Sequence, residues 1–157
     1  MRNLICRQGD SARYAAILGS LTFLFFLRVL GQALVAFFNV TFLPPMEQWY
    51  SGLIPYPILL SIQIIIVLAQ VRLSVDLYLQ KGFFVRRRPT AGRILSWFSA
   101  VYFLAMLARY IITMMLYPER RWFGGTIPIF FHWVLAAYLR LYGRYLSRGE
   151  LSTHTGP

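Results

Sequence analysis

The chain has 157 residues, 58% of them hydrophobic and 13% charged, with a formal net charge of +11 at neutral pH. A soluble domain carries about 25% charged residues and exposes much of its surface even when folded, so this composition argues against a water-soluble globule. The single cysteine, Cys6, excludes an intramolecular disulfide and any cysteine-cluster metal centre.

Four apolar stretches meet the requirement of about 20 residues for a membrane span. They cover roughly 14–40, 54–72, 94–117 and 127–146. The first follows Arg2, Arg7 and Arg13, superficially the n-region of a signal peptide. It runs too far for a cleaved apolar core and lacks a small-residue cleavage site, so a retained span is expected. Next comes a loop through Pro44-Pro45, Trp49 and Gly52. The second stretch, with only Ser61, Gln63 and Gln70 from Ile58 to Val71, has no polar face for water. The connection 73–93 is basic, with Lys81, Arg86, Arg87, Arg88 and Arg93, and its first part could extend the second helix beyond the bilayer. Its Arg86-Arg87-Arg88 run suffices as a topology signal, with anionic headgroup binding as the more specific role. A short loop, 118–125, separates the last two stretches, and 147–157 form a polar tail. The chain is therefore expected to be one all-α membrane domain over 1–157, a bundle of four transmembrane helices.

Charge sets the orientation. Twelve of the sixteen Lys and Arg residues fall in the amino end, the middle connection with Arg72, and the segment from Arg140 onward. The other two loops hold only Arg120 and Arg121. By the positive-inside rule both termini and the middle connection are cytoplasmic, in a cell or inner membrane. Placement of the basic residues beside the apolar runs makes topology their reason, and no nucleic-acid recognition motif accompanies them.

The two outer loops share a pattern. At a constant offset of 73, Pro45, Trp49, Gly52, Ile54 and Pro55 fall on Pro118, Trp122, Gly125, Ile127 and Pro128. Tryptophan suits headgroup depth with its indole N–H in the polar layer, glycine a tight turn, and proline the first turn of the returning helix. The pattern predicts two tandem helical hairpins, related as parallel repeats about the membrane normal, with a crevice where the halves meet.

Polar residues inside the spans are the candidates for function. Helix rise places Gln32, Gln63 and Arg109 roughly 12–14 Å below the outer helix ends, Arg28 roughly 18 Å and His132 roughly 7 Å below. An arginine near the bilayer centre costs at least ~2.5 kcal/mol on insertion scales, so Arg28 and Arg109 require a reason. No Asp or Glu lies within a span. Glu47 could reach an arginine if Pro44-Pro45 folds its loop inward, and Glu119 is a second acidic neighbour. Otherwise the counter-ion is a lipid phosphate, an anionic ligand or a partner subunit's carboxylate. Against this stand structural explanations: Arg109 can snorkel to the interface, Gln32 and Gln63 can tie helices together, and His132 can be an edge-of-membrane hydrogen bonder.

Missing chemistry narrows the classes further. No second intramembrane histidine accompanies His132, and no ligand cluster, phosphate-binding loop, dinucleotide fingerprint or nucleophile elbow occurs. No cofactor or metal is therefore expected. Proton-coupled exporters need an intramembrane carboxylate, which argues against the small four-helix drug exporters. The sequon at Asn39 lies too near the membrane to carry weight. The expectation is a non-enzymatic accessory, scaffold or assembly subunit whose arginines meet a partner's carboxylate or anionic lipid. The alternative is a binding or transport protein for a small anionic amphiphile, a lipid or fatty acid, through Arg28, Arg109 and His132. An enzyme acting on a lipid-like substrate stands last.

Overall fold

The computed structural model describes residues 2–49, 54–116 and 126–148, apart from the side chains of 2–10, 47 and 126. It is all-helical: α1 (Arg2–Phe38), a short α2 (Met46–Trp49), α3 (Tyr56–Leu79), α4 (Pro89–Leu116) and α5 (Thr126–Ser147).

Local sequence explains the helix ends. After α1, Asn39 turns left-handed (φ 48°) while its N–H still bonds Val35 O at 3.2 Å. Asparagine is among the few side-chain-bearing residues that enter that region readily. Pro55 precedes α3 in an extended conformation (φ −52°, ψ 134°), and its carbonyl receives the N–H groups of Ile58 and Leu59 at 3.1 Å each. α3 continues through Leu73–Leu79 and stops at Gln80, again left-handed, with Lys81 N–H returning to Asp76 O at 3.1 Å.

Among the described residues three helices are long and apolar enough to cross a bilayer: Ser11–Phe38 within α1, α3 and α4. α5 spans 22 residues but carries His132, Arg140, Arg144 and three tyrosines. Its position accounts for part of that composition. α5 packs against α1, α2 and α4, and buries Ile129, Val134, Ala136, Tyr138, Tyr145 and Leu146. His132 and the tyrosines are thus at least partly covered by protein, whereas Arg140 and Arg144 are exposed toward the C-terminal end of α5.

The long helices form an open row, α3–α1–α5–α4, in which α1 and α5 are central. Among the described residues α3 and α4 are not a packed pair, so the bundle is open along that side. α4 and α5 approach closely through small residues. A Cβ on Gly92 would lie 2.7 Å from both Gly143 O and Ser147 N, and one on Gly143 would lie 3.0 Å from Gly92 O. The Gly92-x3-Ser96 and Gly143-x3-Ser147 pairs thus form one reciprocal crossing of the small-xxx-small type.

One end of the molecule, where the basic connection lies, is densely packed. Ala15 and Leu18 of α1, Leu73 and Leu77 of α3, and Tyr138, Tyr145 and Leu146 of α5 form its core. The three α5 tyrosines tie it together with hydroxyl donations: Tyr138 to Gln70 O (3.2 Å), Tyr142 to Phe84 O (3.2 Å) and Tyr145 to Val85 O (3.3 Å). Arg87 donates to Tyr145 O at 3.1 Å and lies 4.6 Å over that ring, where a cation meets the carbonyl-rich end of α5. Part of the basic run is therefore a structural clamp.

Candidate functional site

Arg28 and Gln32, four residues apart on α1, share one face, as the helical period requires. Both are buried, Arg28 to 7% exposure and Gln32 completely. What they meet is the first loop. Pro44-Pro45 turns the chain inward, Gln48 N–H bonds Pro45 O at 2.9 Å, and α2 delivers Trp49 into the helices. Its indole lies on Gly31, where a Cβ would come within 3.0 Å of the ring. The indole N–H, expected in the headgroup layer, instead donates to Pro44 O at 2.8 Å. Trp49 is thus an internal wedge: once α2 folds back, its N–H is satisfied within the loop and the ring contributes buried apolar area.

The Trp49 carbonyl is the hub of the site. It accepts from Arg28 Nη2 and from Gln32 Nε2, both at 3.4 Å. Gln32 Oε1 in turn accepts from Gln63 Nε2 of α3 at 3.1 Å. Across the gap, Phe131 of α5 lies under the Arg28 guanidinium, with 5.3 Å from Cζ to the ring centroid. Beside it Tyr102 of α4 and His132 Nδ1 share a hydrogen bond of 2.5 Å. Arg28, Trp49, Gln63, Tyr102, Phe131 and His132 line a crevice of about 210 Å³ between α1, α3, α4 and α5, with Phe25, Ile62, Ile66 and Leu135 as apolar walls, and Gln32 lies buried behind it.

Two buried polar atoms in this crevice have no hydrogen-bond partner, Arg28 Nε and Gln63 Oε1. The carbonyl bond of Arg28 is also long, since N–H···O contacts usually fall at about 2.7–3.2 Å. Asp76 is the one acidic residue with a described side chain, and it pairs with Arg72 at 3.1 Å at the opposite end of α3. Arg109 is exposed on α4, two turns along from Tyr102.

Of the residues singled out from sequence, Arg28, Gln32, Gln63 and His132 converge here, joined by Trp49. Arg109 is exposed on α4, is not part of the crevice lining, and makes no side-chain hydrogen bond among the described residues. Glu47 lies in α2, but its side chain, like Gly52, Glu119, Trp122 and Gly125, is outside the described residues. Pro55 and Pro128 stand at the starts of α3 and α5. Sequence reasoning missed Tyr102, Phe131 and Gly31. A signal existed for Tyr102, a mid-span hydroxyl that needs a partner and stands seven residues before Arg109 on the same helix face. Among the described residues no group of His, Cys, Asp and Glu could hold a metal ion. No protein-family model, curated protein or solved structure matches the chain.

Proposed function

We propose that the chain is a four-span membrane protein that binds a small anionic amphiphile in this crevice, with the carboxylate or phosphate held by Arg28. The observation that carries the proposal is the Arg28 guanidinium itself. It is buried at the crevice floor with one long bond to a carbonyl and an Nε that lacks an acceptor. Burying a charge without a matched partner is costly, and a carboxylate or phosphate answers the planar donor fork two bonds at a time. His132, Tyr102 and Gln63 add polar contacts, while the apolar walls and the open α3–α4 side suit an aliphatic chain entering from the bilayer.

In this proposal both termini and the basic connection face the cytoplasm, and the crevice opens in the outer half of the membrane. Cysteines placed at residues 48 and 90 test that topology: an impermeant thiol reagent should label the first from outside and the second only after lysis. The loop identities at offset 73 support an origin by hairpin duplication. The positions equivalent to Arg28, Gln32 and Gln63 are Val101, Ala105 and Ala136, so only the first half kept the polar cluster.

The ligand test is purification of the full chain in mild detergent, followed by native mass spectrometry and binding of a fluorescent fatty acid. Wild type should retain one anionic amphiphile, and Arg28→Met should lose it while remaining folded. Equal binding by both proteins would overturn the proposal. A second reading, an assembly subunit, draws on Arg109, which is exposed on a helix with only Gly92 and Ser99 buried. Stoichiometric co-purification of another membrane protein, lost in Arg109→Leu, would favour it.

A further inference from the structure

We propose a second lipid site on the opposite flank of α5: a groove along the α4–α5 seam that takes an anionic glycerophospholipid, its phosphate among Arg140, Arg144 and Arg148. Two adjoining cavities form it. The membrane-level part, of about 380 Å³, is walled by Ser99, Ala100, Phe103, Trp133, Ala136 and Ala137. The part toward the basic end, of about 420 Å³, is bordered by the three arginines with Tyr14, Ser96 and Ser147. Arg140 lines both, so the apolar groove runs directly into the basic one.

The groove follows from helix periodicity. On α5, residues 133, 136, 137, 140, 144 and 147 recur at intervals of three and four, which places them on one stripe. Below Trp133 the upper half of that stripe is Ala136 and Ala137, and with the small Ser99 and Ala100 of α4 they line the apolar cavity. The lower half is arginine. Arg140 donates one Nη1 N–H to Ser96 O at 2.9 Å, which fixes the guanidinium at the junction and leaves its other donors directed by that anchor. Arg148 lies 5.3 Å over the Tyr14 ring and closes the basic part from the α1 side.

Charge complementarity identifies the occupant. Asp76, the one acidic residue with a described side chain, pairs with Arg72 on α3, and the basic part of the groove is lined by Arg140 and Arg144. A zwitterionic headgroup would bring a cation toward them, whereas an anionic one brings only phosphate. Basic pockets between transmembrane helices at the cytoplasmic surface are where anionic headgroups bind. The crevice at Arg28 contributes no residue to this groove, so the two sites are independent.

The test uses the full chain in an Arg28→Met background, so that the crevice does not contribute. The protein is placed in nanodiscs of equal phosphatidylcholine and phosphatidylglycerol, extracted in mild detergent, and its retained lipid read by native mass spectrometry. Phosphatidylglycerol should be retained about tenfold over phosphatidylcholine. Both Arg140→Gln/Arg144→Gln and Ala137→Trp should bring the ratio to about one. The second variant keeps every charge and fills the groove at an exposed position, so it guards against a folding or topology effect of the first. Equal retention by the starting protein, or a preference that survives in either variant, would overturn the site. Displacement of the lipid by excess inorganic phosphate would reduce it to a free-anion site and overturn it equally.

Discussion

The two ends of the molecule treat their arginines in opposite ways. At the basic end Arg72 pairs with Asp76, Arg87 donates to Tyr145 O, and Arg88 lies 4.2 Å over the Phe83 ring. In the crevice Arg28 is held by one 3.4 Å bond and a ring contact, and its Nε has no partner. The first end is a core closed by tyrosine hydroxyls; the second is a gap lined with donors. The difference teaches that burial alone does not mark a functional arginine in this fold. What marks it is burial with incomplete satisfaction, because a buried charged donor left unmatched costs more than the bond it lacks would contribute.

Breaking the close crossing should have the largest effect, since the packed end depends on it. Gly143→Leu would drive a side chain into Gly92 O and Ser96 N, and should lower stability by about 3 kcal/mol. Thermal unfolding in detergent, followed by intrinsic fluorescence, reads this. If the midpoint is unchanged, the two helices do not pack as described.

Next comes Arg28→Met, where the two ends should part company. Affinity for a fluorescent fatty acid should fall by about 2 kcal/mol, a loss of roughly thirtyfold, from losing a buried charged hydrogen bond to the ligand. Stability should stay level or rise, because replacing an incompletely satisfied buried charge with an apolar group of similar length is often neutral or better. A marked drop in the unfolding midpoint would mean that Arg28 is a structural clamp like Arg87.

Tyr145→Phe removes one hydroxyl bond to Val85 O and should cost about 1 kcal/mol, visible as faster proteolysis of the connection 80–88. The smallest effect belongs to Gln63→Leu. Interhelical hydrogen bonds in membranes average about 0.6 kcal/mol, and here the loss also removes an unsatisfied Oε1. Its unfolding midpoint should move less than that of Tyr145→Phe. The reverse order would place the structural weight of the fold in the crevice.

From the sequence alone came the membrane setting, the helical class, and the polar residues that merit attention. Each rests on a property that needs no partner. An apolar run of 20 residues reports its own solvent, and an arginine inside such a run reports its own cost. Four spans were expected, and among the described residues three helices meet that test outright; α5 lies between α1 and α4 and blends polar and apolar residues. Spacing also placed Arg28 and Gln32 on one face, since four residues always make slightly more than one turn.

The tertiary structure decided what those residues meet. Trp49 looks like an interfacial anchor by type and position, and only the inward fold of α2 onto Gly31 makes its carbonyl the acceptor for Arg28 and Gln32. Tyr142 and Tyr145 resemble a membrane-edge belt until the connection 80–88 folds beneath them and offers its carbonyls. Gly92 and Gly143 have no visible relation along the chain, yet their contact sets the α4–α5 distance. Pairings such as these depend on which loops turn back and which helix faces meet. Those are long-range choices made by packing, and no local pattern of residues encodes them by itself.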